Sequence, residues 1–171
     1  MLIKIAKYHD LDTRKLMDIY AESNFENTNY FYPDELNKGI AVQKVETGFI
    51  DFLKNNFFNK PKAYYWVLEE NGVWLCALRT YMIGEGTYYL EALETRPDSR
   101  RKGYAVRLLT DLIELLKNEG AFRICSCVSK KNTASLKAHL KIGFEIVSQE
   151  GYDYSSGESD NRDYGLEYNY Q

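Results

Sequence analysis

Two stretches of this chain place residue types at spacings that could do chemistry. In Leu90 to Leu109 an alternating run ends at Thr95, a turn carries Arg100, Arg101 and Lys102, and Gly103 leads straight into residues of helical period. A helix N-terminus presents unpaired N–H groups and a partial positive charge, and a glycine there lets an anion reach the backbone with no side chain in the way. The chemistry this suits is phosphate binding, although an ordinary solvated helix start has the same composition. The second stretch runs from Asn132 to Phe144. On a helix, Asn132, Ser135 and His139 fall at i, i+3 and i+7 and share a polar stripe, with Leu136 and Leu140 on another face. That stripe could face a ligand; equally, Asn132 suits an N-cap and His139 could stand in solvent.

These residues need elements to hold them. Residues 2–8 alternate like a strand, and Asp10 or Asp12 can cap a helix with Leu11, Leu16, Ile19 and Tyr20 at apolar spacing. Residues 24–33 are polar and aromatic without a clean period and read as a loop. A second helix is expected from about Asp34 to Asn55, with Leu36, Ile40, Val45, Phe49, Phe52 and Leu53 inward. Strands follow at 63–70, 74–83 and 87–95, the first two joined by Asn71-Gly72, a hairpin signal. Ala105, Leu108, Leu109, Leu112, Ile113 and Leu116 then fall at helical spacing until Gly120. A strand at 122–128, a helix from Asn132 to Ile142 and a strand pair, 144–154 with 163–170, complete the chain. The order predicts one α+β domain over residues 1–171, a mixed, mostly antiparallel sheet of six to seven strands flanked by about four helices.

Composition narrows the function. The chain has 171 residues, 44% hydrophobic and 27% charged, so it can bury a sizeable core. No apolar run approaches the ~18 residues that span a bilayer, and the N-terminus lacks a secretory pattern, so membrane insertion is not expected and the cytoplasm is the expected location. A net charge of −3 opposes a dedicated nucleic-acid binder, even with Arg100, Arg101, Lys102, Lys130 and Lys131 available. Cys76, Cys125 and Cys127 lack metal-ligand spacing and read as reduced, partly buried thiols. Fifteen tyrosines, several clustered, suit a half-wet pocket or an interface, including one between two copies of the chain.

The two stretches together resemble the GNAT acetyltransferases. Arg100 to Ala105 is similar to the family's Arg/Gln-x-x-Gly-x-Gly/Ala motif, with Ala105 where Gly is common. Asn132 to Phe144 is similar to its Asn-x-x-Ala/Ser-x-x-x-Tyr-x-x-x-Gly-Phe signature. The two lie about 30 residues apart in the family's order, and the resemblance covers roughly residues 60–150. It implies the GNAT fold and acetyl-CoA as co-substrate, its pyrophosphate held by Arg100, Arg101, Lys102, Gly103, Tyr104, Ala105 and Val106. The pantetheine would lie along Leu93, Glu94 and Thr95, with Asn132, Ser135 and His139 also touching the cofactor. His139 stands where the family has a tyrosine that protonates the leaving thiolate, and an imidazole could donate that proton. A glutamate of the preceding strand, Glu91 or Glu94, would act as base. Three residues apart, the two point to opposite faces of a regular strand unless a bulge re-aims one. Backbone N–H groups of Leu93 to Thr95 would stabilise the oxyanion. The acceptor, a small-molecule or peptide amine, would enter near Tyr30, Tyr32 and Tyr152, whose rings could hold a cation. No metal is implied. The alternative is a GNAT-fold module that binds acyl-CoA without catalysis, made plausible by the histidine.

Overall fold

The structure is a computed structural model that describes all of residues 1–171. Seven strands form the main sheet: β1 (Leu2–Ile5), β2 (Tyr64–Glu70), β3 (Val73–Gly84), β4 (Thr87–Thr95), β5 (Phe122–Ser129), β6 (Glu145–Ser148) and β9 (Asp163–Tyr170). Their order is β1-β2-β3-β4-β5-β9-β6. β7 (Gly151–Asp153) and β8 (Glu158–Asp160) pair only with each other. Five helices pack on the sheet: α1 (Thr13–Ile19), α2 (Ala21–Phe31), α3 (Lys38–Asn55), α4 (Tyr104–Lys117) and α5 (Thr133–Lys141). The α+β architecture and the mostly antiparallel mixed sheet agree with the sequence reading.

All neighbours are antiparallel except β4 and β5, which run parallel because α4 carries the chain back between them. That parallel pairing extends only from Thr87↔Arg123 to Leu90↔Ser126, while β5 stays paired with β9 as far as Ser129. Beyond Leu90 the edge of β4 has no strand partner. The central strands are apolar on both faces because both are covered, and Tyr65, Trp66, Val67 and Leu68 are all buried. One core packs Leu108, Leu109, Leu112, Ile113 and Leu116 of α4 against the sheet; the other packs Leu16, Ile19, Leu53 and Phe57 of the N-terminal helices against the opposite face. Asn71 and Gly72 both have positive φ, +51° and +78°, as the tight β2–β3 hairpin requires.

Three expectations need correction. Residues 24–31 are not a loop but most of α2, whose buried residues are Asn24 and Thr28, so no apolar period marks it. α3 begins at Lys38, because the Asn37 side chain accepts from the Ile40 N–H and caps it there; Leu36 is 98% exposed rather than inward. Residues 144–154 are not one strand. At Gly151 a Cβ would lie 2.7 Å from Asp163 Cβ and 3.0 Å from Cys127 Sγ, so only glycine lets the chain cross here and start the β7–β8 hairpin.

Candidate functional site

A cavity of about 650 Å³ opens where the edge of β4 loses its partner. Its walls are β4 from Leu93 to Thr95, the turn and first residues of α4, one face of α5 from its Asn132 cap to Lys141, and residues of α2. In the turn, Arg101 (φ +64°) and Gly103 (φ +83°) are both left-handed, and α4 begins at Tyr104 with no side-chain cap on its first N–H groups. A Cβ on Gly103 would meet nothing within 4 Å, so the glycine is required by its φ and the space beside it is open. Uncapped amides at a helix N-terminus facing a cavity suit an anion. Across the cavity Asn132 caps α5, its side chain accepting from Ser135 N–H at 3.1 Å.

The charges divide by wall. Arg100 pairs with Glu22 of α2 and, at 3.4 Å, with Glu94. Glu94 also accepts from Ser23 Oγ at 2.9 Å and is 19% exposed. Burial pushes its carboxyl above the usual carboxylate range, outweighing the Ser23 hydrogen bond and the Arg100 charge. Lys137 and Lys141 of α5 and Arg101 of the turn also line the cavity, and none has a carboxylate within ion-pair distance.

Of the residues singled out in the sequence, the fold brings Leu93, Glu94, Thr95, Arg100, Arg101, Gly103, Tyr104, Ala105, Val106, Asn132 and Ser135 to this cavity. It does not bring Lys102, Glu91, His139, Tyr30, Tyr32 or Tyr152. Lys102 turns back to donate to Asp98 O. The sequence reading missed Glu22, Ser23 and Glu26, hidden in a helix without apolar period, and Lys137 and Lys141, whose signal was their four-residue spacing on α5.

The two strand glutamates do not face opposite ways. Arg79↔Glu91 and Ala77↔Glu94 set two residues of β4, Ala92 and Leu93, against one of β3, Leu78, with Ala92 at φ +55°. This bulge restores the phase, so Glu91 and Glu94 share one face. Glu91 is spent on an ion pair with Arg79 Nε at 2.6 Å, both side chains nearly buried, and Arg79 lies against the rings of Phe49, Phe52 and Phe57. Glu94 alone lines the cavity.

His139 is 1% exposed and lies inside the protein, edge-on to Phe144. Its Nδ1–H donates to Ser135 O at 2.8 Å, and Nε2 is 3.5 Å from Ser126 Oγ. Burial pulls its pKa below the ordinary histidine value, only partly opposed by the Ser135 carbonyl. The ring is therefore neutral near pH 7, with its donor hydrogen committed to the helix, and it is buried in the protein rather than lining the cavity. The tyrosines are engaged locally. Tyr30 is 80% exposed and touches Phe31, Lys44 sits over the Tyr32 ring, and Tyr152 packs on Tyr154, which in turn meets Tyr89.

Residues 15–144 match the acetyltransferase (GNAT) family model, three quarters of the chain and every wall of the cavity. The chain belongs to this family. An L-methionine sulfoximine/L-methionine sulfone acetyltransferase of Pseudomonas paraeruginosa is 39% identical over 54 residues, 32% of this chain and 31% of that protein. The match thus spans about a third of that relative's length. Among solved structures, an IAA acetyltransferase from Bacillus cereus superposes with a TM-score of 0.62 at 15% identity, covering 99% of both chains. A PaiA N-acetyltransferase from Thermoplasma acidophilum in complex with coenzyme A superposes with a TM-score of 0.58 at 13% identity, again over 99% of both. At such identities these neighbours establish the GNAT fold. No helix of the protein is long and apolar enough to cross a membrane.

Proposed function

We propose that this GNAT protein is an acetyl-CoA-dependent N-acetyltransferase that moves acetyl to a primary amine of a small molecule or peptide by direct attack in a ternary complex. The observation that carries the reading is the cavity itself: an unpartnered strand edge, uncapped helix amides and an open left-handed glycine meet on one 650 Å³ space. An extended chain ending in a pyrophosphate fits such walls, the edge of β4 pairing with its amides and the Gly103 turn with its phosphates. Acetyl-CoA would supply the activated acetyl group. Glu94, held by Ser23 and Arg100, takes the proton that the amine must lose to attack. Its raised pKa brings it nearer the range useful for a base. Free N–H groups along the Leu93 to Thr95 edge stabilise negative charge on the carbonyl oxygen as the C–N bond forms. The C–S bond then breaks and the thiolate leaves, taking its proton from water in the open cavity. His139 has no part in this account, because a buried neutral ring bonded to Ser135 O has no proton to give there.

The test is titration with acetyl-CoA followed by an amine panel with detection of free CoA. Micromolar binding and CoA release on adding an amine support the proposal, whereas no binding at millimolar concentration overturns it. The buried His139, in place of the family's tyrosine, favours a second reading, an acyl-CoA-binding module without turnover. Binding with no CoA release across the whole panel selects it.

A further inference from the structure

We propose, resting on the acetyltransferase reading above, that Tyr20 is a positioning residue: its hydroxyl holds the Ala92 carbonyl and so sets the peptide whose Leu93 N–H meets the developing oxyanion. Ala92 has φ +55°, and of the four non-glycine residues with positive φ it alone lies inside a strand; Lys62, Asn71 and Arg101 are in turns. A left-handed alanine crowds its Cβ against the following carbonyl, and such a residue persists only where its surroundings hold it. Tyr20 supplies that hold, its hydroxyl donating to Ala92 O at 2.6 Å across 72 positions of sequence. The residue is 5% exposed, packs edge-on to Phe49, and caps both the end of α1 and the start of α2, so two helices fix its backbone. Ala92 C=O and Leu93 N–H belong to one planar trans peptide and point in opposite directions, so a bond that fixes the first fixes the second.

The Tyr20 hydroxyl is itself held. Fully buried Tyr65 donates to it at 3.0 Å. Tyr65 is the cross-strand neighbour of Arg79, whose guanidinium is ion-paired with Glu91. The line of contacts therefore leaves β4 at Ala92 and returns to it at Glu91, the two residues where the bulge begins. Burial raises both tyrosine pKa values, opposed in part by the nearby Arg79 charge, so both hydroxyls keep their protons and Tyr20 remains a donor. From the same helix junction, three residues on, Ser23 donates to Glu94 at 2.9 Å. One junction thus sets both the oxyanion donor and the base of the proposed reaction, although Tyr20 does not line the cavity. Phenylalanine would fill the same space, so packing accounts for the ring and not for the hydroxyl.

The experiment makes Tyr20→Phe in two backgrounds, the wild type and Ala92→Gly, and reads kcat on an amine the wild type accepts beside calorimetric affinity for acetyl-CoA. Glycine enters the left-handed region without the Cβ penalty, so in the second background the bulge depends less on the hydroxyl. With Ala92 in place, Tyr20→Phe should lower kcat by about 10- to 100-fold through a tilted peptide, with acetyl-CoA affinity kept. In the Ala92→Gly background the loss should shrink to about threefold or less, a coupling that a hydroxyl serving stability alone would not produce. Full turnover by Tyr20→Phe, or the same fold-loss in both backgrounds, overturns the positioning role and leaves the acetyltransferase reading standing. A wild type that turns over no amine overturns that reading and this one with it. Should thermal unfolding show that Tyr20→Phe does not fold, Tyr65→Phe breaks the same line one bond earlier: a fall in kcat at unchanged affinity supports the role, and full turnover overturns it.

Discussion

Replacing Gly103 by aspartate separates the phosphate role proposed for its turn from the fold that carries it. The residue has φ +83°, and a Cβ there meets nothing within 4 Å, so the only folding cost is the left-handed backbone. Aspartate is among the residues that tolerate this region, and the cost should be about 1 kcal/mol. The charge is a larger perturbation for a phosphate held by the α4 amides. Two unit charges about 4 Å apart repel by ~1 kcal/mol in water and ~4 kcal/mol at an effective dielectric near 20, and a half-open cavity lies between. A penalty of ~2 kcal/mol weakens binding about 30-fold. Gly103→Ala is the control, with at least the same backbone strain and no charge, so it should lose stability and keep most of the affinity. Calorimetric titration with acetyl-CoA, run at two salt concentrations beside thermal unfolding, reads both quantities; the aspartate penalty should shrink as salt rises. An aspartate variant that binds like the wild type would show that the turn does not hold phosphate, and the reasoning from the uncapped helix would fail.

Glu94→Gln should lower kcat/KM on any accepted amine by about 10² to 10⁴ and abolish an acid limb whose apparent pKa lies above the usual carboxylate range; an unchanged pH–rate profile would remove Glu94 as base. Glu91→Gln strips the buried Arg79 guanidinium of its counter-charge, and chemical denaturation should find about 3 kcal/mol lost, with acetyl-CoA affinity of the folded protein kept. A variant as stable as the wild type would contradict the structural role given to that pair. His139→Phe should leave turnover near pH 7.5 intact and change the pH dependence of stability. Because burial depresses the folded pKa, the wild-type contribution is complete above the unfolded value of ~6.5. It declines as pH falls through that value toward the folded one, since the unfolded chain binds the proton first. The melting temperatures of wild type and variant should therefore converge, or the wild type fall relative to the variant, between pH 7.5 and 5.5; parallel curves would mean that the ring is not held neutral.

How far the sequence reached follows from how local each feature is. The Asn71-Gly72 hairpin, the Gly103 start of α4 and the Asn132 cap of α5 depend on φ preferences and on groups three residues away, and the fold contains all three. The face of α4 was likewise legible, because its burial is a matter of apolar period alone. α2 was not, since its buried positions are Asn24 and Thr28; their side chains meet Met17 Sδ and Phe25 O, partners that no periodicity announces.

The sequence by itself determined the family's two stretches, the helix starts they contain and the order of elements around them, because turn chemistry and hydrophobic period act between near neighbours. Tertiary structure decided which of those residues are available for chemistry. The bulge at Ala92 put Glu91 and Glu94 on one face, and Arg79, twelve residues before Glu91, then claimed one and left the other to the cavity. α5 turned His139 inward onto Ser126 and left Lys137 and Lys141 facing the cavity. A side chain's role depends on which face the packing buries and which counter-charge the neighbouring strand sets beside it, and both are set only when the elements meet.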